Sequence, residues 1–302
     1  MTAGTDNTNN TPLNPNDTDS GWNWRDFPWW LVSILALVGL MGFLIFAAPP
    51  VDPEDPSKLL DNEFNEAFNF IRGGMGDVEA LAEGDIIGFV GKGVTVTIFT
   101  TLVAFIIAMI IGLFAGLGRM SKNVFVKNLA TLYVEFIRGV PTLVLIFTLA
   151  FVVVPEIINL VGLEGSKISL HWRAIAALAI IYGAFLAEVF RAGIESIPVG
   201  QVEAAKAVGM NGAQTMRFII LPQAIRNILP ALGNDFIAML KDSSLVSVLA
   251  VRDITQQARL YAGSSFRFRE TYLVLTFLYL SMTLVLSLIL RWYERRIRVS
   301  SR

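Results

Sequence analysis

Apolar positions in this chain fall into long blocks rather than alternating with polar ones. A bilayer core needs about 20 apolar residues per helix, and Trp29 to Ala48 is such a block, uncharged throughout and opened by the interfacial pair Trp29-Trp30. Val94 to Leu117 is a second block. A third runs from about Tyr133 to Pro155, interrupted early by Arg138, Gly139 and Pro141. A fourth covers about Trp172 to Phe190. A fifth, about Ile228 to Val251, carries Asn234, Asp235, Lys241 and Asp242, and a sixth, Thr271 to Trp292, is clean. The pattern predicts an all-α integral membrane protein with six transmembrane helices.

Composition agrees. Of 302 residues, 54% are hydrophobic and 16% charged, well below the ~25% charged of soluble domains. The formal net charge of -1 argues against a nucleic-acid binder, which needs a basic surface. Without cysteine, and with His171 as the one histidine, neither thiolate nor multi-histidine metal sites are open to the chain. No phosphate loop is present: Gly91-Lys92 has Ile86 where the first glycine belongs and Gly93 where Ser or Thr belongs. The chain therefore reads as a non-enzyme.

Segments 1–28 and 49–87 lie outside the apolar blocks. The first is rich in Thr, Asn, Asp and Pro and reads as a disordered tail. It holds one Arg against four Asp, so a cleaved signal peptide is disfavoured and residues 29–48 read as a retained helix. Residues 49–85 hold ten acids against Lys58 and Arg72. Loop charge sets orientation. The tail from Arg291 to Arg302 has five Arg and one acid, and the loops 119–138 and 191–226 have four basic residues each. These belong inside, which puts both termini in the cytoplasm and the acidic loop outside. One loop dissents: Arg252, Arg259, Arg267 and Arg269 fall in a segment this topology places outside.

Inside the spans, Gly112 and Gly116, and Gly183 and Ala187, have the spacing that lets helix backbones approach. His171 is expected in an interfacial loop, and Glu188 is expected to pair with Arg191.

Residues 188–230 are the informative stretch. Ser196-Ile197-Pro198 reads as a helix stop and restart. Gln201 to Val208 is a run of good helix formers ended by Gly209, where positive φ is tolerated. Asn211-Gly212 reads as a turn, followed by a helix Gln214 to Ile220 that stops before Pro222. A short helix on a rigid loop between two spans suits insertion into a partner's groove.

Glu203-Ala204-Ala205, three residues, Gly209, nine residues and Ile219-Ile220-Leu221-Pro222 resemble the Glu-Ala-Ala loop of bacterial ABC importer permeases. The stretches Glu135 to Val144, Ser196 to Gln201 and Ile237 to Val246 resemble the polar amino acid branch, of histidine, glutamate, glutamine or arginine type. The resemblance covers about Gly88 to Arg296, and Lys241-Asp242-Ser243-Ser244 stands where many members have Lys-Asp-Thr-Ser. It implies a five-helix permease core at 88–296 with a coupling loop at 191–226; the helix at 29–48 is then an extra N-terminal one outside the resemblance, and 297–302 is a basic tail. It also implies an external connection between the last two helices, which accommodates the dissenting loop.

The resemblance further implies a cytoplasmic (inner) membrane permease subunit of an ATP-driven amino acid importer. Its partners would be two ABC ATPase subunits, which hold the ATP and Mg, an extracytoplasmic amino-acid-binding protein, and a second permease subunit. The divergent N-terminal extension points to a non-identical second subunit. The coupling residues would be Gln201, Glu203, Ala204, Ala205, Gly209, Leu221 and Pro222, with Glu203 pairing with the ATPase or capping its own helix. Polar groups at membrane depth are functional candidates: Arg138, Pro141, Thr142, Asn234, Ser243 and Ser244 for a substrate pathway, and Asp235, Lys241 and Asp242 for a gate or subunit interface. The competing readings are an ion-coupled secondary amino acid transporter and a non-transporting membrane scaffold or receptor, and the coupling loop counts against both.

Overall fold

The computed structural model describes residues 29–46, 93–162 and 164–299. The acidic stretch 49–87, the tail 1–28 and the last three residues of the basic tail lie outside them. Every regular element among the described residues is a helix. In chain order these are α1 (Trp29–Phe46), α2 (Gly93–Arg119), α3 (Val124–Gly139), α4 (Thr142–Leu160), α5 (Leu170–Glu195), α6 (Val199–Ala207), α7 (Gly212–Thr215), α8 (Leu221–Asp242), α9 (Ile254–Ser265) and α10 (Phe268–Val299). A π-turn at Leu149–Val153 lies inside α4 and another, Met216–Ile220, joins α7 to α8. A 3-10 segment, Ser243–Leu249, continues α8.

Among the described residues, α2, α4, α5 and α10 are long and apolar enough to cross a bilayer, and α1 is apolar over Val32–Phe43. Two predicted spans have different bounds. The block from Tyr133 to Pro155 is two helices, because Val140 and Pro141 leave the helical region (φ -112 ψ 137 and φ -56 ψ 134). Pro141 forces its predecessor toward extended backbone, so Tyr133 belongs to α3 and the span is α4. The block from Ile228 to Val251 begins earlier, at Leu221, and its α-helix stops at Asp242. The remainder is the 3-10 segment closed by Ala250 at φ 57.

The packing explains the small residues. Helix α5 is central, with 61% of its most apolar window buried against 11% for α10. Gly112 and Gly116 of α2 face Gly183, Leu186 and Ala187 of α5, so close that a Cβ at Gly116 would lie 2.7 Å from the Ala187 carbonyl oxygen. The two small-residue motifs thus meet each other, as close helix approach requires. Tyr133 of α3 donates to the Ile180 carbonyl of α5 at 2.5 Å.

One end of the bundle gathers Arg119, Arg138 and Glu188 with the segment 196–220. The opposite end gathers the first turns of α2, α5 and α10 with α9. There the Ile254 N–H donates to Thr97 Oγ1 at 3.1 Å, and Phe99 stacks on His171 with ring centroids 6.0 Å apart. His171 is the second residue of α5 rather than a loop residue, since Ser169 already occupies the N-cap position. Helix α10 crosses antiparallel to α8, with Leu290 against Gly233.

Candidate functional site

The segment 196–223 is fixed by its own backbone before it touches anything else. Helix α5 ends as Ser196 Oγ donates to the Gly193 carbonyl (2.8 Å), and Pro198 opens α6. At the other end of α6, the Gly209 N–H reaches the Lys206 carbonyl (2.9 Å) and the Met210 N–H reaches Ala205 (3.0 Å). This paired closure is the Schellman pattern, with Gly209 at φ 83 in the left-handed position it needs.

Two residues later the next helix is capped reciprocally. Gln214 N–H donates to Asn211 Oδ1, and Asn211 N–H donates to Gln214 Oε1, both at 2.9 Å. Asn211-Gly212 is therefore not the centre of a turn; Asn211 is an N-cap and Gly212 the first residue of α7. The capping box is what the side chain three positions on dictates. Nor does the chain stop before Pro222. The π-turn lets Leu221 donate to the Met216 carbonyl five residues back, and Pro222, which has no N–H to donate, follows directly in the first turn of α8.

Helix α8 then anchors the loop. Gln223 Nε2 donates to Gln201 Oε1 (2.6 Å) and Asn227 Nδ2 to Ser196 Oγ (2.9 Å). Ile197 is buried with Ala224 and Ile228, and Gly193 abuts Ile228 where no Cβ would fit. Of the predicted coupling residues, Ala205 is buried, and Gln201, Glu203, Ala204, Gly209, Leu221 and Pro222 are exposed. The Glu203 carboxylate has no hydrogen-bond partner among the described residues, so it does not cap α6. Around it, Val199, Val208 and Phe218 are 70%, 78% and 60% exposed. The loop is thus rigid at its base and offers a bare, partly apolar tip.

Behind the loop sits a charge cluster. Glu188 accepts from Arg119 Nη1 (2.8 Å) and Arg138 Nη1 (2.6 Å), tying α2, α3 and α5 together, and Arg119 also reaches Glu135 at 3.4 Å. The expected Glu188–Arg191 pair does not form; Arg191 pairs instead with Glu195 (2.9 Å), four residues on along α5. A cleft of about 450 Å³ lies beside the cluster, lined by Glu188, Ala192, Ser196, Asn227 and their neighbours.

The polar groups expected for a pathway, gate or interface lie at the α3–α4 break and along α8 with its 3-10 continuation. Arg138, Pro141 and Thr142 sit at the break between α3 and α4, with Arg138 already paired to Glu188. Ser243, Ser244 and Asp242 sit where α8 becomes 3-10. Asp242 accepts from Tyr182 Oη at 2.8 Å, and the buried Ser243 Oγ donates to the Leu240 carbonyl at 2.7 Å. Tyr182 and Glu188 are six residues apart on α5, about 9 Å along its axis. Asp235 lies two turns before Asp242, on the same face of α8 by helical period, and its Oδ2 is buried without a partner. Lys241 is exposed and diverges from Asp242. Asn234 bonds its own helix, at the Pro230 carbonyl. Sequence reasoning missed Tyr182, Gln223 and Asn227, whose roles depend on contacts 22 to 60 residues distant. Gln214 was readable from its spacing to Asn211.

Residues 108–299 match the family model described as "Binding-protein-dependent transport system inner membrane component". A probable amino-acid permease of Bacillus subtilis (strain 168) is 39% identical over 204 residues, covering 68% of this chain and 89% of the relative. The L-cystine transport system permease of the same organism is 33% identical, covering 71% and 90%. The glutamine transport system permease of Escherichia coli (strain K12) is 34% identical, covering 69% and 92%. Among solved structures, a chain of an amino acid ABC transporter crystallised with histidines superposes with a TM-score of 0.61 at 38% identity, covering 72% of this chain and 99% of that one. A chain of an inward-facing methionine ABC transporter shares the fold, with a TM-score of 0.55 at 21% identity and coverage of 67% and 92%.

Proposed function

The chain belongs to the family of binding-protein-dependent transport system inner membrane components, and from that premise we propose that it is the permease subunit of an ATP-driven amino acid importer, coupled to a separate ATPase through α6 and its flanking turns. The observation that carries the reading is mechanical. A helix that transmits force must not fray, and α6 is closed at its C-terminal end by two backbone hydrogen bonds, followed by a capping box. It is bolted to α8 by Gln201–Gln223 and Ser196–Asn227. A push on the tip therefore displaces α8 and, through Asp242 and Tyr182, bears on α5.

In this reading Gln201, Glu203, Ala204, Gly209, Leu221 and Pro222 form or support the docking surface, and Val199, Val208 and Phe218 supply its apolar contact. Ala205 is small because it is the buried foot of α6. Hydrolysis of ATP with Mg belongs to two partner ATPases. Five crossings make the permease core, with α8 and its 3-10 continuation as the fourth, and α1 is an added sixth. The substrate pathway lies between this subunit and a second permease, where Asn234, Ser243, Ser244, Arg138, Pro141 and Thr142 are the candidate lining. Asp235, Lys241 and Asp242 are candidates for gating. An extracytoplasmic protein delivers the amino acid, in keeping with relatives named for amino acids, glutamine and cystine.

The test is reconstitution with the ATPase, second permease and binding protein in liposomes. Deleting residues 201–209 is expected to reduce substrate-stimulated ATP hydrolysis and uptake at least ~10-fold, equivalent to ~1.4 kcal/mol of lost coupling, while membrane insertion persists. Full uptake after that deletion would overturn the coupling role. Uptake by this chain alone in ATP-depleted vesicles would favour an ion-driven transporter instead.

A further inference from the structure

We propose that α3 lies in the headgroup boundary of the membrane leaflet at the loop end of the bundle, with an apolar stripe in the acyl layer and Lys122 and Lys127 against anionic headgroups. This placement depends on the chain being a membrane component, not on its coupling to an ATPase. Helix α4 alone, Thr142–Leu160, is long and apolar enough to cross the bilayer, so the crossing does not need α3. With 16 residues, α3 is about 24 Å long, short of the ~30 Å hydrocarbon core. It is a helix in its own right. Asn123 Oδ1 caps it by accepting from the Phe125 N–H at 2.9 Å, and it stops where Val140 turns extended ahead of Pro141.

The side chains of α3 sort into three sectors at ~100° per residue. Val126, Ala130, Val134 and Ile137 form the packed one. A Cβ on Gly118 of α2 would stand 3.1 Å from Ala130 and 3.7 Å from Val126, and Val134 and Ile137 are buried in the core. Phe125, Leu129, Leu132 and Phe136 form the second, a stripe ~60° wide, and they are 57% to 75% exposed. Lys127, Asn128, Thr131 and Glu135 form the third; Thr131 is half-buried and the others are exposed. The sector centres stand ~120° apart. A helix lying flat beside a bundle meets three environments at that spacing: protein at its side, acyl chains on one face and water on the other. A Phe and Leu stripe set apart from a charged face is what holds helices in the interface. A helix crossing the bilayer here would turn Lys127, Asn128 and Glu135 toward hydrocarbon, at high cost.

Its contacts keep α3 at the loop end. Ala130 meets Gly118, Glu135 meets Arg119, and Arg138 meets the same Glu188 that holds Arg119. Tyr133 reaches inward from this level to the Ile180 carbonyl. Charge then names the surface. Arg119 and Arg138 are both held by Glu188. Lys122 and Lys127 are exposed at the start of α3, and neither has a carboxylate within ion-pair distance among the described residues. Two free ammonium groups beside an apolar stripe suit an anionic leaflet, where each lysine strengthens attachment roughly fivefold.

The chain has no cysteine, so single nitroxides can be placed in the whole protein at Phe125→Cys, Leu132→Cys and Phe136→Cys on the stripe and at Asn128→Cys on the polar sector. Power saturation with oxygen and an aqueous nickel chelate reads their depth in nanodiscs of phosphatidylcholine, alone or mixed with phosphatidylglycerol. The three stripe labels are expected at one similar depth, ~5–10 Å below the headgroups, with Asn128→Cys open to nickel. A depth that grows steadily from Phe125→Cys to Phe136→Cys, by about 16 Å, would make α3 part of a crossing and overturn the proposal. Stripe labels shielded from oxygen and nickel alike would lie against another subunit and overturn it too. Phosphatidylglycerol is expected to lower nickel access at Phe125→Cys at least ~2-fold. Lys122→Gln with Lys127→Gln should remove that response, and Lys122→Arg with Lys127→Arg should keep it. No response in the unaltered background, or one that survives the Gln pair, overturns the assignment to anionic lipid.

Discussion

Asp253 shows how much one residue can set at the far end of the bundle. Its Oδ1 accepts the Gln256 N–H at 2.9 Å and so caps α9, but its Oδ2 is buried without a partner. Burial pushes the carboxyl from 3.8 up to about 6, against the opposing pull of the Gln256 N–H. A carboxyl whose folded value is raised favours the folded state in its protonated form. Its stabilising contribution is complete below the unfolded value near 4 and is lost as pH rises through about 6. The shift corresponds to about 3 kcal/mol across that window. Melting of the purified protein in detergent is therefore expected to lose stability from this group between pH 4 and 7. Asp253→Asn keeps the acceptor without the charge and should flatten that part of the profile; parallel wild-type and variant curves would refute the assignment. No pattern in the sequence announced this: an acid before Ile254 reads as an N-cap, but its burial goes with the docking of α9 on α2, where the Ile254 N–H meets Thr97, 157 residues away.

Among the elements, the α2–α5 pair is where packing tolerances are tightest. A Cβ at Gly112 would stand 2.7 Å from Leu186 Cβ and 3.0 Å from the Gly183 carbonyl, and one at Gly116 would stand 2.7 Å from the Ala187 carbonyl. Backbone atoms cannot rotate aside, so the helices must part. Gly116→Ala is expected to cost about 1–3 kcal/mol, seen as a lowered melting temperature. Gly39→Ala in α1, where nothing lies within 4 Å, should be neutral or stabilising by up to ~1 kcal/mol. Equal effects at the two sites would show that the close approach is not what Gly116 provides. Spacing alone made this contact legible, as it did most of the apolar helices: Val94 to Leu117 became Gly93–Arg119 and Trp172 to Phe190 became Leu170–Glu195. Gly139 and Pro141 marked an interruption in the third block, but hydropathy did not show that the residues before it belong to a separate, amphipathic helix. The turn signal at Asn211-Gly212 misled for another reason: a turn pair and a capped helix start share those two residues, and Gln214 decides between them.

At the scale of the whole molecule, helix directions fix which parts share an end without fixing which end is inside. Arg119, Glu188 and the α6 loop lie together, and so does the C-terminal half of α10, because Leu290 packs on Gly233 of α8. The turn after α4 and the whole of α9 lie at the other end, linked through His171–Phe99 and Thr97–Ile254. Loop charge alone points both ways, with Arg-rich segments at both ends, and helix direction resolves it only as far as pairing them. Sidedness is therefore the measurement on which the coupling reading turns. The chain lacks cysteine, so single thiols report cleanly. Val208→Cys, on the tip of the loop and 78% exposed, is expected to react with a membrane-impermeant maleimide only after cells are permeabilised. Lys167→Cys, whose parent side chain is 75% exposed beside Glu164, should react in intact cells. A motor driven by ATP can act only from the compartment that holds ATP. If Val208→Cys reacts in intact cells and Lys167→Cys does not, the loop faces away from its energy source, and the rigid base of α6 must serve some other contact.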